Sequence, residues 1–179
     1  MTPLARFEKG VLPHLDAAYN LARWLTRNDQ DAQDVVQEAM VRAFRFHERQ
    51  EGGNPRAWLL AIVRNSAWTW LEKNRPAEVV AIDDAPAAAA EAEATAPAAI
   101  AANPEVILLQ SAQAKLVNQA LEDLPAAFRE AVVLRELEDL SYKEIAAVTG
   151  VPVGTVMSRL ARGRELLRRA IENRTRKAS

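Results

Sequence analysis

Residues 77–105, AEVVAIDDAPAAAAEAEATAPAAIAANPE, constrain this chain more than any other stretch. They hold fourteen alanines, three prolines and no aromatic residue. Such a segment has too little apolar surface to offset the entropy lost on ordering it, so a flexible linker is expected. Ala-Glu runs can form helix, but Pro86, Pro97 and Pro104 restrict any helix here to short pieces. The 179-residue chain must therefore fold from its flanks, residues 1–76 and 106–179.

Both flanks repeat apolar residues at helical spacing. In the first, Leu12, Leu15, Ala18, Tyr19, Ala22 and Leu25 recur at steps of three and four, as do Val35, Val36, Ala39, Met40, Ala43 and Phe44. A third set is Leu60, Val63, Ala67, Trp70 and Leu71, separated from the second by GGNP at 52–55. In the second flank, residues 106–122 read as one helix, and Pro125 opens another, AAFREAVVLREL. SYKE at 141–144 fits a capping box, with Ser141 as N-cap and Glu144 reaching back. The helix it starts stops at Gly150, and VPVGT begins a long final helix to about Arg174. Two helices joined by a short glycine-containing turn form a helix-turn-helix pattern. No segment alternates polar and apolar residues. The expected fold is all-α: an N-terminal helical bundle and a four-helix C-terminal helix-turn-helix domain, joined by the linker.

Net charge is −1, but its distribution is uneven. Residues 77–105 carry six acidic side chains and no basic one, whereas residues 153–179 carry eight basic and two acidic. Such asymmetry is the cue for a nucleic-acid surface; a solvated, Arg-rich terminal helix accounts for it equally well. On a wheel of the last helix, Val156, Leu160, Gly163, Leu167 and Ile171 cluster on one side. Gly154, Thr155, Ser158, Ala161, Arg162, Glu165 and Arg169 lie opposite, with Arg159, Arg164 and Arg168 on the flanks. Small residues permit close approach to a major groove, Arg can pair with guanine edges, and flanking Arg suits phosphates.

Other chemistries find little support. Without cysteine there is no disulfide, thiolate zinc site or thiol nucleophile. His14 and His47 stand alone, no glycine-rich phosphate loop is present, and Asp83-Asp84 lies in the linker. No enzyme activity, cofactor or metal is expected. The N-terminus lacks an apolar signal core, and no run approaches the roughly 18 apolar residues of a membrane span, so a cytoplasmic chain without membrane insertion is expected.

LPAAFREAVVLRELEDLSYKEIAAVTGVPVGTVMSRLARGRELLRR resembles the −35-binding domain of bacterial extracytoplasmic-function (ECF) sigma factors. DAQDVVQEAMVRAFR, followed by PRAWLLAIVRNSAWTWLEKNR, resembles that family's core-polymerase- and −10-binding domain. The resemblance implies a specificity subunit that docks on core RNA polymerase, carries it to a promoter and helps to melt the −10 region. It implies that Asp34, Gln37 and Glu38 contact the clamp helices of the largest polymerase subunit. Their i, i+3, i+4 spacing places all three on one helix face, as it would in a merely solvated acidic helix. It assigns −10 DNA to Asn54, Pro55, Arg56, Trp58, Arg64, Asn65 and Trp68, and −35 DNA to Thr155, Ser158, Arg159, Arg162 and Arg169. It also implies an anti-sigma factor as partner. The paired tryptophans of primary sigma factors are here Ala57-Trp58. A one-component helix-turn-helix regulator with a helical sensing or dimerisation domain is the alternative, and the polymerase-docking signature weighs against it.

Three of the four tryptophans fall between Ala57 and Arg75. The wheel puts Trp70 in the apolar arc with Leu59, Leu60, Val63, Ala67 and Leu71, as core. It puts Trp68 on the far side, beside Arg64, Asn65, Glu72 and Arg75, facing DNA or packed on a neighbouring helix. Trp58, at the helix start, fits either role.

Overall fold

The computed structural model describes residues 1–50, 52–79 and 104–178, and most of the expected linker, 80–103, lies outside them. Every regular element among the described residues is helical. Helix α1 (Pro3–Val11) starts at Thr2, whose hydroxyl accepts the Ala5 N–H at 3.1 Å. Helix α2 (Leu15–Thr26) ends at Arg27, which adopts a left-handed conformation. Asn28 caps α3 (Asp29–Phe46) by accepting the Asp31 N–H at 3.0 Å. Gly52 and Gly53, at φ of 75° and 87°, turn the chain into α4 (Pro55–Asn74). This is backbone that other residues rarely adopt.

Helices α2, α3 and α4 pack on one another, with α1 against α4. Ala18, Leu21, Ala22, Leu25, Ala32, Val35, Ala39, Leu59, Leu60, Val63 and Ala67 are buried at the centre. The alanines let the helix axes approach closely while the leucines fill the space between. Trp70 departs from the expected core position. It is half-buried at the rim of α4, with the Arg75 guanidinium 4.9 Å above its ring. Leu71 is buried with the rest of the expected arc, and Ser66 is buried on the same helix as well.

The C-terminal half contains α5 (Pro104–Glu122), α6 (Ala126–Val132), α7 (Tyr142–Thr149) and α8 (Val153–Ala178). The expected regular helix from Pro125 is interrupted: Val133–Leu137 forms a wider π-helical turn in which the Glu138 N–H bonds the Val133 carbonyl. The capping box at Ser141 and Glu144 forms with both bonds present, and Gly150 closes α7 at φ 72°. Helix α8 packs on α5, α6 and α7. It packs tightly on α6 at Gly163, where a Cβ would lie 2.8 Å from Val132 Cγ2.

The two halves also pack on each other, a contact that helical periodicity does not encode. Helix α7 lies against α4, and α6 against α2. Ala131, Val133, Leu134, Leu140, Ile145, Val148, Val156 and Leu160 join the N-terminal core in one apolar cluster. Small helical units bury a modest fraction of their surface alone, and joining them buries more. No helix of the described residues is long and apolar enough to cross a membrane.

Candidate nucleic-acid and polymerase interface

The acidic face of α3 forms as its spacing predicts. Val35, Val36 and Ala39 point inward, and Asp34, Gln37 and Glu38 are exposed. The Gln30 amide donates to Asp34 at 3.3 Å, and Arg42 pairs with Glu38 at 2.8 Å one turn on. Exposed pairs of this kind are weak and leave the carboxylates available. Beside them runs a groove lined by Leu15, Tyr19 and Val36 together with Asp16, Asn20, Gln33 and Gln37. Helical spacing marks an apolar stripe without marking its edge: Val36 is buried, whereas Leu15 on the same groove is exposed. The Tyr19 hydroxyl reaches Asp29 at 3.3 Å, and its pKa is raised by desolvation with help from that carboxylate.

The α4 residues read as DNA-facing are brought together along one edge. Asn54 caps α4, its Oδ1 accepting the Arg56 N–H at 3.0 Å, and Pro55 occupies the first helical position. Asn54, Pro55 and Asn65 are exposed. Trp58 is half-buried and packs against the core. The other side chains turn toward the C-terminal half. Arg64 Nε donates to Glu130 Oε1 at 2.6 Å, and the Trp68 indole N–H donates to the same oxygen at 3.0 Å. The Arg64 guanidinium also covers the Trp68 ring at 4.8 Å. Arg56 donates to the Glu138 carboxylate at 2.8 Å and to its backbone carbonyl at 2.6 Å. The Asn54 amide donates to Glu144 at 2.6 Å. In this arrangement Trp68 packs on a neighbouring element, the second of the two positions its place on the wheel allowed.

Glu130 and its neighbour Arg129 were not singled out from sequence. Arg129 is 1% exposed. It donates to the Trp24 carbonyl at 2.7 Å and the Leu25 carbonyl at 3.3 Å across the seam, and to the Leu124 carbonyl at 2.7 Å in its own half. Burial pushes its pKa down to about 10, which still leaves it charged at neutral pH. The one available signal was an adjacent Arg-Glu pair inside the apolar run AAFREAVVL, where buried charge requires partners.

On α8, Arg162 and Arg169 are exposed, and Thr155 and Arg159 are partly so. Ser158 is a correction: it is buried, and its hydroxyl donates to the Thr155 carbonyl at 3.0 Å. Helix α8 is flanked by α7 as well as α6, so more of its circumference is covered than one apolar stripe implies. Several arginines carry carboxylate partners. Arg164 pairs with Glu136 at 2.8 Å, Arg169 with Glu165 at 3.0 Å, and Arg168 with Glu165 at 2.8 Å. The Arg168 hydrogen bond holds the Glu165 pKa down at about 2, and Glu165 in turn raises that of Arg168.

A helix-turn-helix with an arginine-bearing outer helix, packed on a helical bundle with an exposed acidic face, defines a two-part DNA-binding transcription protein. Comparison with known proteins narrows the class. Residues 11–76 match the family model for sigma-70 region 2, and residues 114–167 match that for sigma-70 region 4. The ECF RNA polymerase sigma-E factor of Escherichia coli (strain K12) is 38% identical over 149 residues, covering 80% of this chain and 73% of its own length. The ECF RNA polymerase sigma factor SigE of Mycolicibacterium smegmatis is 38% identical over 158 residues, covering 88% of this chain; the chain spans 58% of that relative's length. Among solved structures, the sigma factor RpoE in complex with the anti-sigma factor NepR from Bartonella quintana matches with TM-score 0.68 and 27% identity, covering 93% of this chain and 97% of that one. CnrH in complex with the cytosolic domain of CnrY matches with TM-score 0.61 and 25% identity, covering 93% and 88%. The chain belongs to the ECF RNA polymerase sigma factors.

Proposed function

We propose that this chain is an alternative sigma factor that binds core RNA polymerase, directs it to promoters through their −35 and −10 elements and assists melting. The observation that carries this reading is the order of two sigma regions on one chain, 11–76 and 114–167, with the second folded as a helix-turn-helix. A one-component regulator would need a sensing domain, and the N-terminal half is already accounted for by sigma-70 region 2.

The division of labour follows the halves. Residues 1–76 bind polymerase and the −10 element, 77–105 connect, and 106–179 bind the −35 element. Asp34, Gln37 and Glu38 dock on the clamp helices of the largest polymerase subunit, with the Leu15–Tyr19–Val36 groove alongside. Asn54, Pro55, Arg56, Trp58, Arg64, Asn65 and Trp68 take the −10 strand, where amide and guanidinium groups can read base edges and an indole can stack. Arg162, exposed on α8, pairs with a guanine edge, and Thr155, Arg159 and Arg169 serve bases and phosphates. The Ser158 hydroxyl is engaged within its own helix.

The chain works in the cytoplasm, where polymerase is, and contributes binding rather than covalent chemistry. An anti-sigma factor is a fitting regulator: the solved RpoE structure, which matches across 93% of this chain, is a complex with the anti-sigma factor NepR. Run-off transcription with core polymerase on a genomic fragment library tests the reading. Initiation at a recurrent promoter motif is expected; DNA binding without initiation under any condition would sink it.

A further inference from the structure

We infer that Met157 is a specificity-determining residue of the −35 contact, its side chain packing against the 5-methyl group of a thymine in the major groove. The inference rests on the −35 assignment proposed above and deepens it. It names the base that the start of α8 selects and the group on that base that is read.

Helix α8 begins without charge. Its first residues, Val153 to Ser158, read VGTVMS, and the first ionisable side chain is that of Arg159. A helix-turn-helix sets the N-terminal residues of its second helix against base edges. In this stretch the side chains of Thr155 and Ser158 alone carry a hydrogen-bonding group. The Ser158 hydroxyl is buried and donates to the Thr155 carbonyl at 3.0 Å. Val156 is buried as well. Val153, Gly154 and Met157 are exposed, and Thr155 is partly so. The outward surface of the first turns is therefore mostly apolar, at the part of the helix that this motif brings to the bases.

Met157 is 37% exposed between two buried neighbours, Val156 and Ser158, which leaves its side chain on the surface of α8. Val153 and Ala161 lie about 40° to either side of it on the helix, and Gly154 about 60° away. A Cβ added at Gly154 would meet nothing within 4 Å, so another molecule can approach the helix closely there. Arg162 is exposed about 140° round the helix, at the far edge of the open face. Arg164 and Arg168 follow on the Met157 face about two and three turns on, and suit phosphates at the rim of a groove. Residues 153–179 carry eight basic and two acidic side chains, so the surroundings favour a polyanion as the occupant. In the major groove of DNA the group that an apolar side chain reads is the thymine methyl. A thioether chain is unbranched and polarisable, and adapts its shape to such a methyl. A base presenting an amino or carbonyl group at the same place would lose its water to Met157 and gain no hydrogen bond in return. That loss is the source of the discrimination.

The test uses holoenzyme assembled from core polymerase and the full-length chain. Run-off transcription on the genomic fragment library supplies a promoter, and its duplex is the probe. Deoxyuridine, which pairs as thymine does and lacks only the methyl, replaces each thymine of the −35 element in turn, on either strand. At one position the change should weaken binding about fourfold, the worth of one buried methyl. Met157→Gln keeps the length and helix preference of the side chain and removes its apolar character. This variant should bind the thymine and deoxyuridine probes alike, and Met157→Leu should keep the parent's preference. All three proteins should bind random-sequence duplex equally. Circular dichroism checks helix content, and Met157→Ala stands in if the glutamine variant loses it. A −35 element without thymine, or one indifferent to deoxyuridine at every position, overturns the proposal. So does a deoxyuridine effect that persists undiminished in the well-folded variant, or an equal loss by that variant on promoter and random DNA. A scrambled −35 element bound as tightly as the original overturns the −35 assignment itself. A parent holoenzyme that initiates on no fragment overturns the sigma-factor reading.

Discussion

The residues that matter most here are charged groups whose surroundings set their roles. Arg162 is exposed on the outer helix. Arg162→Ala should weaken specific −35 binding by about 1–3 kcal/mol if it reads a base edge. Competition against random DNA checks this, since an equal loss on both would reduce Arg162 to a phosphate contact. Trp70 teaches a different lesson. A fully buried tryptophan replaced by alanine costs about 3–5 kcal/mol. Half-buried under Arg75, Trp70 should cost less than this lower bound in urea unfolding. Gly163→Ala should destabilise by about 1–3 kcal/mol, because the added methyl meets Val132 and the Phe128 carbonyl at the α6–α8 crossing. The wheel showed Gly163 on the inner face; only the packed helices show that nothing larger fits.

At the scale of elements, the end signals were the most readable part of the sequence. SYKE and Gly150 define α7 in both sequence and structure, since a capping box and a left-handed C-cap are local chemistry. In the box, the Ser141 backbone N–H donates to the Glu144 carboxylate and lowers its pKa. A carboxyl group whose folded pKa lies below its unfolded value of about 4.3 contributes stability above that value. The contribution fades as pH falls through the depressed folded value. Urea midpoints should therefore drop from pH 5 toward pH 3 by more in the parent chain than in Glu144→Gln, and Ser141→Ala should cost about 1 kcal/mol at neutral pH. On α3, Glu38→Lys should impair binding to core polymerase while leaving −35 DNA affinity of the full chain intact; unchanged polymerase affinity would remove Glu38 from the docking face. The π turn at Val133–Leu137 and the burial of Ser158 were not readable. Each depends on how α6, α7 and α8 meet.

At the scale of the molecule, DNA binding by the arginine-bearing helix should fall steeply between low and moderate salt, because each phosphate contact releases counterions. A salt-insensitive affinity would point away from the α8 arginines. What the amino-acid order determined alone is the helical class, the two flanks around an acidic Ala-rich segment, the helix ends, the exposed acidic face of α3 and the arginine-bearing face of α8. These follow from near-neighbour rules: apolar spacing, capping side chains, proline and glycine geometry. What only the tertiary structure decided is which surfaces remain available. Arg64 and Trp68 lie more than sixty positions before Glu130 in the chain, and no local pattern joins them. Their meeting depends on two helical units covering a shared apolar cluster, which draws buried charges into pairs across the seam. The tryptophan that sequence placed on an outer face is for this reason covered by the protein's own second half.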